Sequence, residues 1–565
     1  MTVSDYFMPN KYNNKQPFEP ILPGPKDWPV VQLSKTRKEF IEKVRDESIR
    51  HIEELRPTAE SLIRELEITR YNEKLRIEKN PWEVDPEDEK IFWKNIKSKL
   101  IQVSDKSPQK HEQAREILGM IIQRYAEEIA GNFNPSYYKA AREIVTFGFA
   151  RLLNAAQSKY FAGLFRARRT LRDKIRIRGY VQELRSLARL GTVVILPTHF
   201  SNLDSILIGW ILNELGLPPF IYGAGLNLFN MKLFAYFMNS VGAYKVDRRK
   251  KNLLYLETLK MYSNMAIQQG CHSLFFPGGT RSRSGMIEKS LKLGLLGTAL
   301  EAQRTIYAQG RDTKIFVVPL VINYNFVLEA PSLISQYLQH KGQGRYYIEA
   351  DEFTTSAKIF KFLIKFFTKQ AEISVTVGRG MDLFGNYVDE QGHSLGKNGT
   401  QIHTKDYFLV GGRVTSDKQR EEEYTRQLSK RIIEEFHKFG EVLPSHLVAF
   451  VAYLKFRRQY PDLDMYNFLR SPEDEMEIDQ QVFEKSLASV RDAILQLESD
   501  GKICTSPEFE EDTRSLMLTG IKNLGMYHAR RPLLLNKSNK IITKDLNLLY
   551  YYHNRLVGYN LEHHV

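Results

Sequence analysis

His199 and Asp204 stand five residues apart in the segment THFSNLDS, an imidazole and a carboxylate close enough to act together. An Asp bonded to one ring nitrogen fixes the tautomer and raises the basicity of the other, which is what a base working on a hydroxyl requires. The spacing alone is unspecific, since a solvent-facing His beside a helix-capping Asp satisfies it equally. Its surroundings give it weight. Further on comes GAYKVDRRKK, with Lys245, Arg248, Arg249, Lys250 and Lys251 close together. Then FFPGGTRSRSG places Pro277, Gly278 and Gly279 ahead of Thr280, Arg281, Ser282 and Arg283. Two glycines let backbone approach a ligand closely, and a turn of amides beside arginines makes an anion site. The alternative is a tight strand-to-helix turn with a solvated basic edge. The P-loop spacing and its lysine are absent.

These residues need a scaffold, and the surrounding pattern supplies one. TVVILP, CHSLFFP, KIFVVPLVINY and AEISVTVG are short, continuous, β-branched runs. Between them lie helical stretches such as NLDSILIGWILNELG and KSLKLGLLGTALEAQ. Strands apolar on both faces, alternating with helices, predict an α/β fold: a mainly parallel sheet flanked by helices. His199 then sits on a loop at the carboxyl end of a strand, where sites form in such sheets. Ser201 or Asn202 is placed to cap the next helix, whose free N–H groups would suit a developing oxyanion. Pro319, inside the third run, implies a bulge or an edge.

The flanks read as helical. Residues 1–34 form an irregular arm and 35–131 a helical domain. Ile41, Val44, Ile52 and Leu55 share one face there, with Ser48 filling the gap and Ile49 at the margin. Residues 132–415 carry the α/β unit, 416–530 a second helical domain and 531–565 a tail. Pro135 opens a long helix, Tyr137–Ile175, aromatic early and arginine-rich late. Such a helix suits an anionic membrane interface; the other reading is core packing with a solvated basic face. The segment LNLFNMKLFAYFMNSV offers Phe229, Leu233, Phe234, Phe237 and Met238 near Lys232, either for a bilayer or for the core. Gly385 to Thr415 reads as a polar loop region.

Composition narrows the class. The chain has 565 residues, enough for about three to four domains. Its 42% hydrophobic and 26% charged content are those of a folded globular protein. Cys271 and Cys504 are the only cysteines, which leaves no disulfide framework or cysteine-rich metal site and fits a reducing compartment. The net charge of +14 points to a polyanionic partner: nucleic acid, an anionic membrane, or a phosphorylated substrate. Zinc spacings, RNP-like motifs and a basic helix-turn-helix are not seen, which counts against nucleic acid. The N-terminus lacks an apolar signal region, and the uncharged stretch around Leu215 is too broken by Gly and Pro to span a bilayer.

The ordered series THFSNLD, GAYKVDR, FFPGGTRSRSG and VVPLVINY resembles the four blocks of the glycerolipid acyltransferase superfamily, across Val193–Glu329. RSRSG, VPLVINYNFVLE and the C-terminal YHARRPLL look more like its large glycerol-3-phosphate 1-acyltransferases than the short lysophosphatidate enzymes. The resemblance implies His199 as general base, held by Asp204. It assigns the glycerol phosphate to Arg248, Gly279, Thr280, Arg281 and Arg283, and a place beside the acyl groove to Pro319. The family's third block usually reads Phe-Pro-Glu-Gly-Thr-Arg; here the Glu position is Gly278.

The implied reaction moves a fatty acyl group from acyl-CoA or an acyl carrier protein to glycerol 3-phosphate. Lysophosphatidate and dihydroxyacetone phosphate are alternative acceptors. A thioester is already activated, so neither a metal nor another cofactor is expected, and the absence of a G-x-S-x-G elbow argues against an acyl-enzyme. The amphiphilic product implies peripheral binding to anionic phospholipid at the cytoplasmic face of the inner membrane. Two other classes are a nucleic-acid binder and a catalytically silent membrane scaffold.

Overall fold

The computed structural model describes residues 18–82, 85–103, 109–140, 143, 175–226, 242–342, 373–525, 528 and 530–565. At its centre is a seven-stranded sheet: β1 (Ile175–Gly179), β2 (Thr192–Pro197), β3 (Ile221–Gly225), β4 (Ala243–Val246), β5 (Ser273–Leu274), β6 (Ile315–Tyr324) and β7 (Ile373–Val377). The spatial order is β1-β7-β6-β2-β5-β3-β4. Every ladder is parallel except β6 with β7. The mainly parallel sheet flanked by helices is therefore what the chain forms. All of β2 and β6 is buried, which their unbroken Val and Ile runs require. Because β2, β5, β3 and β4 run the same way, the segments after them emerge at one end of the sheet. That end receives His199, the Gly278–Gly279 turn and Arg248.

Four strands depart from expectation. Ile175, expected to end a helix, opens β1, whose alternating burial comes from Ile175 and Ile177 facing the core between arginines. β3 and β4 are short and carry Gly or Lys, so apolar runs do not reveal them. CHSLFFP pairs only through Ser273 and Leu274, because the chain leaves the sheet to build the glycine turn. Pro319 lies in an interior strand rather than at an edge. The register beside it slips by one residue, from Leu320↔Val377 to Val317↔Met381, so a bulge falls opposite the residue that has no N–H to donate.

Helices Arg37–Leu55, Ala59–Lys79, Glu89–Gln102 and Lys110–Ile129 form the N-terminal layer. Thr58 caps the second by accepting from the Ser61 N–H at 3.2 Å. Val44, Ile52, Leu62, Ile121 and Tyr125 share one core with Tyr244, Tyr255 and Leu259 of the α/β unit. A helix already begins at Pro29, inside the expected arm.

Helices Lys418–Lys438, Pro444–Gln459, Gln480–Ser499 and Thr513–Gly525 join the sheet's own core. Residues 531–565, expected as a tail, pack into the same core through Leu533, Ile541, Leu546, Leu549 and Tyr551. Their strands Leu534–Leu535 and Lys540–Ile542 extend a small sheet that begins at Glu477. Between Gly385 and Thr415 the expected loop carries two short antiparallel pairs.

Most of the expected helix Tyr137–Ile175 and all but Leu226 of the apolar segment Leu226–Val241 lie outside the described residues. Among the described residues no helix is long and apolar enough to cross a membrane.

Candidate active site

The loop after β2 is fastened to β6 before it reaches His199. Thr198 donates its N–H to the Leu320 carbonyl at 3.0 Å and accepts from the Ile322 N–H at 3.1 Å. His199 Nδ1 then lies 2.8 Å from Asp204 Oδ2. That oxygen also accepts from the N–H groups of Phe200 at 2.7 Å and Ser201 at 2.9 Å. The other oxygen, Oδ1, accepts from the Tyr324 hydroxyl at 2.5 Å. A wholly buried carboxylate with this many donors is fixed in position, and it holds the proton on Nδ1. His199 Nε2 is left as an acceptor, on a side chain that is 13% exposed and open to a ligand. The ring stacks on Phe276, centroids 4.0 Å apart at 24°.

The loop differs from expectation at the helix start. Leu203 is the N-cap and no side chain caps the helix. Asn202 instead donates its N–H to Glu329 Oε1 at 2.8 Å, and Ser201 accepts from the Leu203 N–H at 3.2 Å. The amides of residues 200–204 therefore all have internal acceptors, Asp204 N–H donating to the Ser201 carbonyl at 3.1 Å. Of the first-turn helix amides expected to meet an oxyanion, that of Asp204 is thereby occupied.

The glycine turn arrives from β5. Gly279 takes a φ of +78°, available to glycine at no steric cost. Its N–H donates to the Phe276 carbonyl at 3.0 Å, and Lys292 N–H donates to Pro277 at 2.7 Å. One bond joins this turn to the histidine: Ser282 N–H donates to the His199 carbonyl at 2.8 Å. Arg281 is drawn in as well, nine-tenths buried, with Nη1 3.6 Å from Glu329 Oε1. Thr280 and Arg283 are exposed beside it.

The basic segment after β4 splits. Arg249 pairs with Asp247 and Asp85 and stacks over Trp82 at 4.0 Å, while Lys250 pairs with Glu128. Both thus secure the N-terminal layer. Arg248 is exposed at the same sheet end as His199, three strands or about 14 Å across. Pro319 is buried inside the sheet, its carbonyl accepting from the Gly378 N–H at 2.8 Å, so it supports β6 rather than lining an open groove.

Four contributors were not visible as site residues in the sequence. Tyr324 and Glu329 lie within the VINYNFVLEA run, and their positions after a buried strand were the only signal. Arg555, whose guanidinium lies 3.8 Å over the Phe200 ring and bonds Asn323 at 2.9 Å, has no local signal. Neither has Asn554, which donates to the Ser284 carbonyl at 2.9 Å. Burial pushes the Glu329 carboxyl above its usual range, against the Asn202 amide and the Arg281 charge. Burial, then Asp204, pushes the Tyr324 phenol up, so it stays a donor. Among the described residues no group of three His, Cys, Asp or Glu could hold a metal ion.

This arrangement, a charge-steered imidazole beside a cationic turn, is suited to taking a proton from the hydroxyl of a phosphorylated molecule. Residues 178–323 match the acyltransferase family model. The chain is 25% identical over 219 residues to a glycerol-3-phosphate acyltransferase of Pseudoalteromonas translucida, covering 38% of this chain and 24% of that one. A protein of the same description from Pseudomonas paraeruginosa is 26% identical over 217 residues, 38% and 23% of the two chains. One from Aeromonas hydrophila is 31% identical over 150 residues, 26% and 18%. The match spans about a quarter or less of the length of these curated relatives.

Proposed function

We propose that this chain, built around an acyltransferase domain of the glycerolipid acyltransferase superfamily, transfers a fatty acyl group from a thioester to the sn-1 hydroxyl of glycerol 3-phosphate, giving lysophosphatidate. One observation carries the reading: the Ser282 N–H···O=C His199 bond joins the steered imidazole to the arginine-bearing turn. A base and an anion site so connected fit an acceptor that carries both a hydroxyl and a phosphate.

The phosphate lies against Arg281, with Arg283 and Arg248 adding positive charge and Gly279 and Thr280 shaping the turn. This sets the sn-1 hydroxyl against His199 Nε2. As the oxygen attacks the thioester carbonyl, Nε2 takes its proton, and Asp204 steadies the imidazolium that forms. The tetrahedral intermediate collapses by breaking its C–S bond, and the departing thiolate recovers the proton from Nε2. The ester and a free thiol result.

The donor is acyl-CoA or acyl carrier protein, and the +14 net charge suits either polyanion. The same charge supports peripheral docking on anionic phospholipid at the cytoplasmic face of the inner membrane. The test is an assay of the purified full chain with both donors against glycerol 3-phosphate, dihydroxyacetone phosphate and lysophosphatidate, with His199→Ala alongside. We expect glycerol 3-phosphate to be used, and turnover to fall roughly 10²–10⁴-fold in the variant. Use of lysophosphatidate alone overturns the acceptor, and unchanged turnover in His199→Ala overturns the mechanism. Sedimentation with phosphatidylglycerol vesicles, at low and high salt, tests the docking.

A further inference from the structure

Gly278 stands where the third block usually has a glutamate, yet the space that side chain would enter is filled. A Cβ built on Gly278 would meet Glu288 Cγ and Oε1 at 3.0 Å and Cδ at 3.4 Å. A carboxylate from later in the same loop therefore lies over the glycine. Both of its oxygens are shut off from solvent and meet no hydrogen-bond donor of normal geometry. A carboxylate buried in this way is costly, and such groups call for a role.

Its surroundings place it in the site. The His199 backbone amide, the Arg555 guanidinium and the Asp204 charge all act on it. Burial, partly offset by its own amide, the Arg555 cation and the His199 amide, pushes its pKa up to about 7.

The loop carrying Glu288 is also pinned. The Ser282 hydroxyl donates to the Met286 carbonyl at 2.7 Å, and Asn554 donates to the Ser284 carbonyl at 2.9 Å. A Cβ at Gly285 would fall 2.3 Å from the Tyr551 carbonyl, so the loop lies directly on the C-terminal segment. On so fixed a support the direction of the carboxylate is set by the fold.

The chemistry of that ligand follows from what is missing. A carboxylate repels the phosphate that the arginines attract, so it must take a donor. Glycerol 3-phosphate has two hydroxyl protons. The reacting hydroxyl gives its proton to His199, which leaves one donor, the hydroxyl on C2. We infer that Glu288 replaces the carboxylate absent at Gly278 and accepts a hydrogen bond from the C2 hydroxyl of the acceptor, turning the sn-1 hydroxyl toward His199. This assignment rests on the acceptor proposed above, and it makes Glu288 a specificity-determining residue.

The test compares glycerol 3-phosphate with 3-hydroxypropyl phosphate, which lacks the C2 hydroxyl. Acylation and calorimetric binding are both measured on wild type, Glu288→Ala, Glu288→Gln and the transposed pair Gly278→Glu/Glu288→Ala. Wild type should prefer glycerol 3-phosphate about ten- to a hundredfold, the span of a hydrogen bond to a charged group. Glu288→Ala should lose that preference while handling the analogue like wild type. Glu288→Gln, with the same volume and a weaker acceptor, should fall between, and the transposed pair should recover the preference.

Equal losses on both compounds in Glu288→Ala, or a preference that survives it, overturn the assignment. If wild type binds glycerol 3-phosphate without acylating it, the proposed reaction fails while the binding preference still decides Glu288. If wild type does neither, both fall.

Discussion

The Tyr324 hydroxyl and Asp204 Oδ1 are joined at 2.5 Å, on the carboxylate oxygen that His199 does not use. Tyr324 is the last residue of β6, so an interior strand of the sheet itself aims the acid that aims the base. Tyr324→Phe removes one donor from a wholly buried carboxylate, a loss of about 1–3 kcal/mol. We expect kcat to fall about tenfold with the KM for glycerol 3-phosphate little changed. Steady-state kinetics checks this, and a pure KM effect would contradict a role through Asp204.

Arg281 divides its charge between the solvent side and Glu329, 3.6 Å away. Arg281→Ala should raise the KM for glycerol 3-phosphate about ten- to a hundredfold, with a smaller change in kcat. It should also lower the melting temperature, because Glu329 then stays buried without its countercharge. Unchanged acceptor dependence would remove Arg281 from the phosphate site.

Two buried carboxyls make stability depend on pH. Burial pushes Glu183 and Glu288 each up to about 7. Between roughly pH 4.5 and 7 the folded chain keeps protons that the unfolded chain has released, so stability falls as pH rises through that window. Each group contributes on the order of 1–3 kcal/mol to the fall. Urea unfolding at pH 5 and pH 8 measures the difference, and Glu183→Gln should flatten it. A profile equally steep in that variant would assign the slope elsewhere.

Asn554 reaches the glycine-turn loop through one bond, to the Ser284 carbonyl. Asn554→Ala should lower kcat/KM for glycerol 3-phosphate about three- to tenfold, the worth of a single neutral hydrogen bond. The loss should appear mainly in KM, since His199 and Asp204 keep their own contacts. A loss confined to kcat would be the contrary result.

Much of the sheet could be read directly from the sequence. β2, β6 and β7 are buried on both faces, and burial on both faces writes itself as unbroken Val and Ile. β3 and β4 left no such trace. β3 packs partly through glycines: a Cβ on Gly223 would lie 3.1 Å from Tyr244, so close strand contact replaces side-chain bulk there. β1 was masked by its arginines, which read as the polar face of a helix. Its Arg178 side chain instead reaches the Thr505 carbonyl at 3.1 Å, a partner remote in sequence.

The site divides in the same way. His199 and Asp204 belong to one loop, so local spacing revealed the pair. Arg249 and Lys250 stand in the same basic run as Arg248, and charge alone does not show which acid neutralises which base. Their partners, Asp85 and Glu128, lie in the N-terminal layer. Glu288 and Arg555 gained their positions only through folding: one covers a glycine, and the other lies on Phe200 from near the C-terminus.

The contact from Asn554 to Ser284 closes a separation of 270 residues. On the ribosome, the imidazole and the arginine turn are made long before the segment that buttresses them. A nascent chain that has not yet reached Asn554 thus holds His199 and Arg281 without that contact. Removing Asn554 from a finished molecule takes away the same contact.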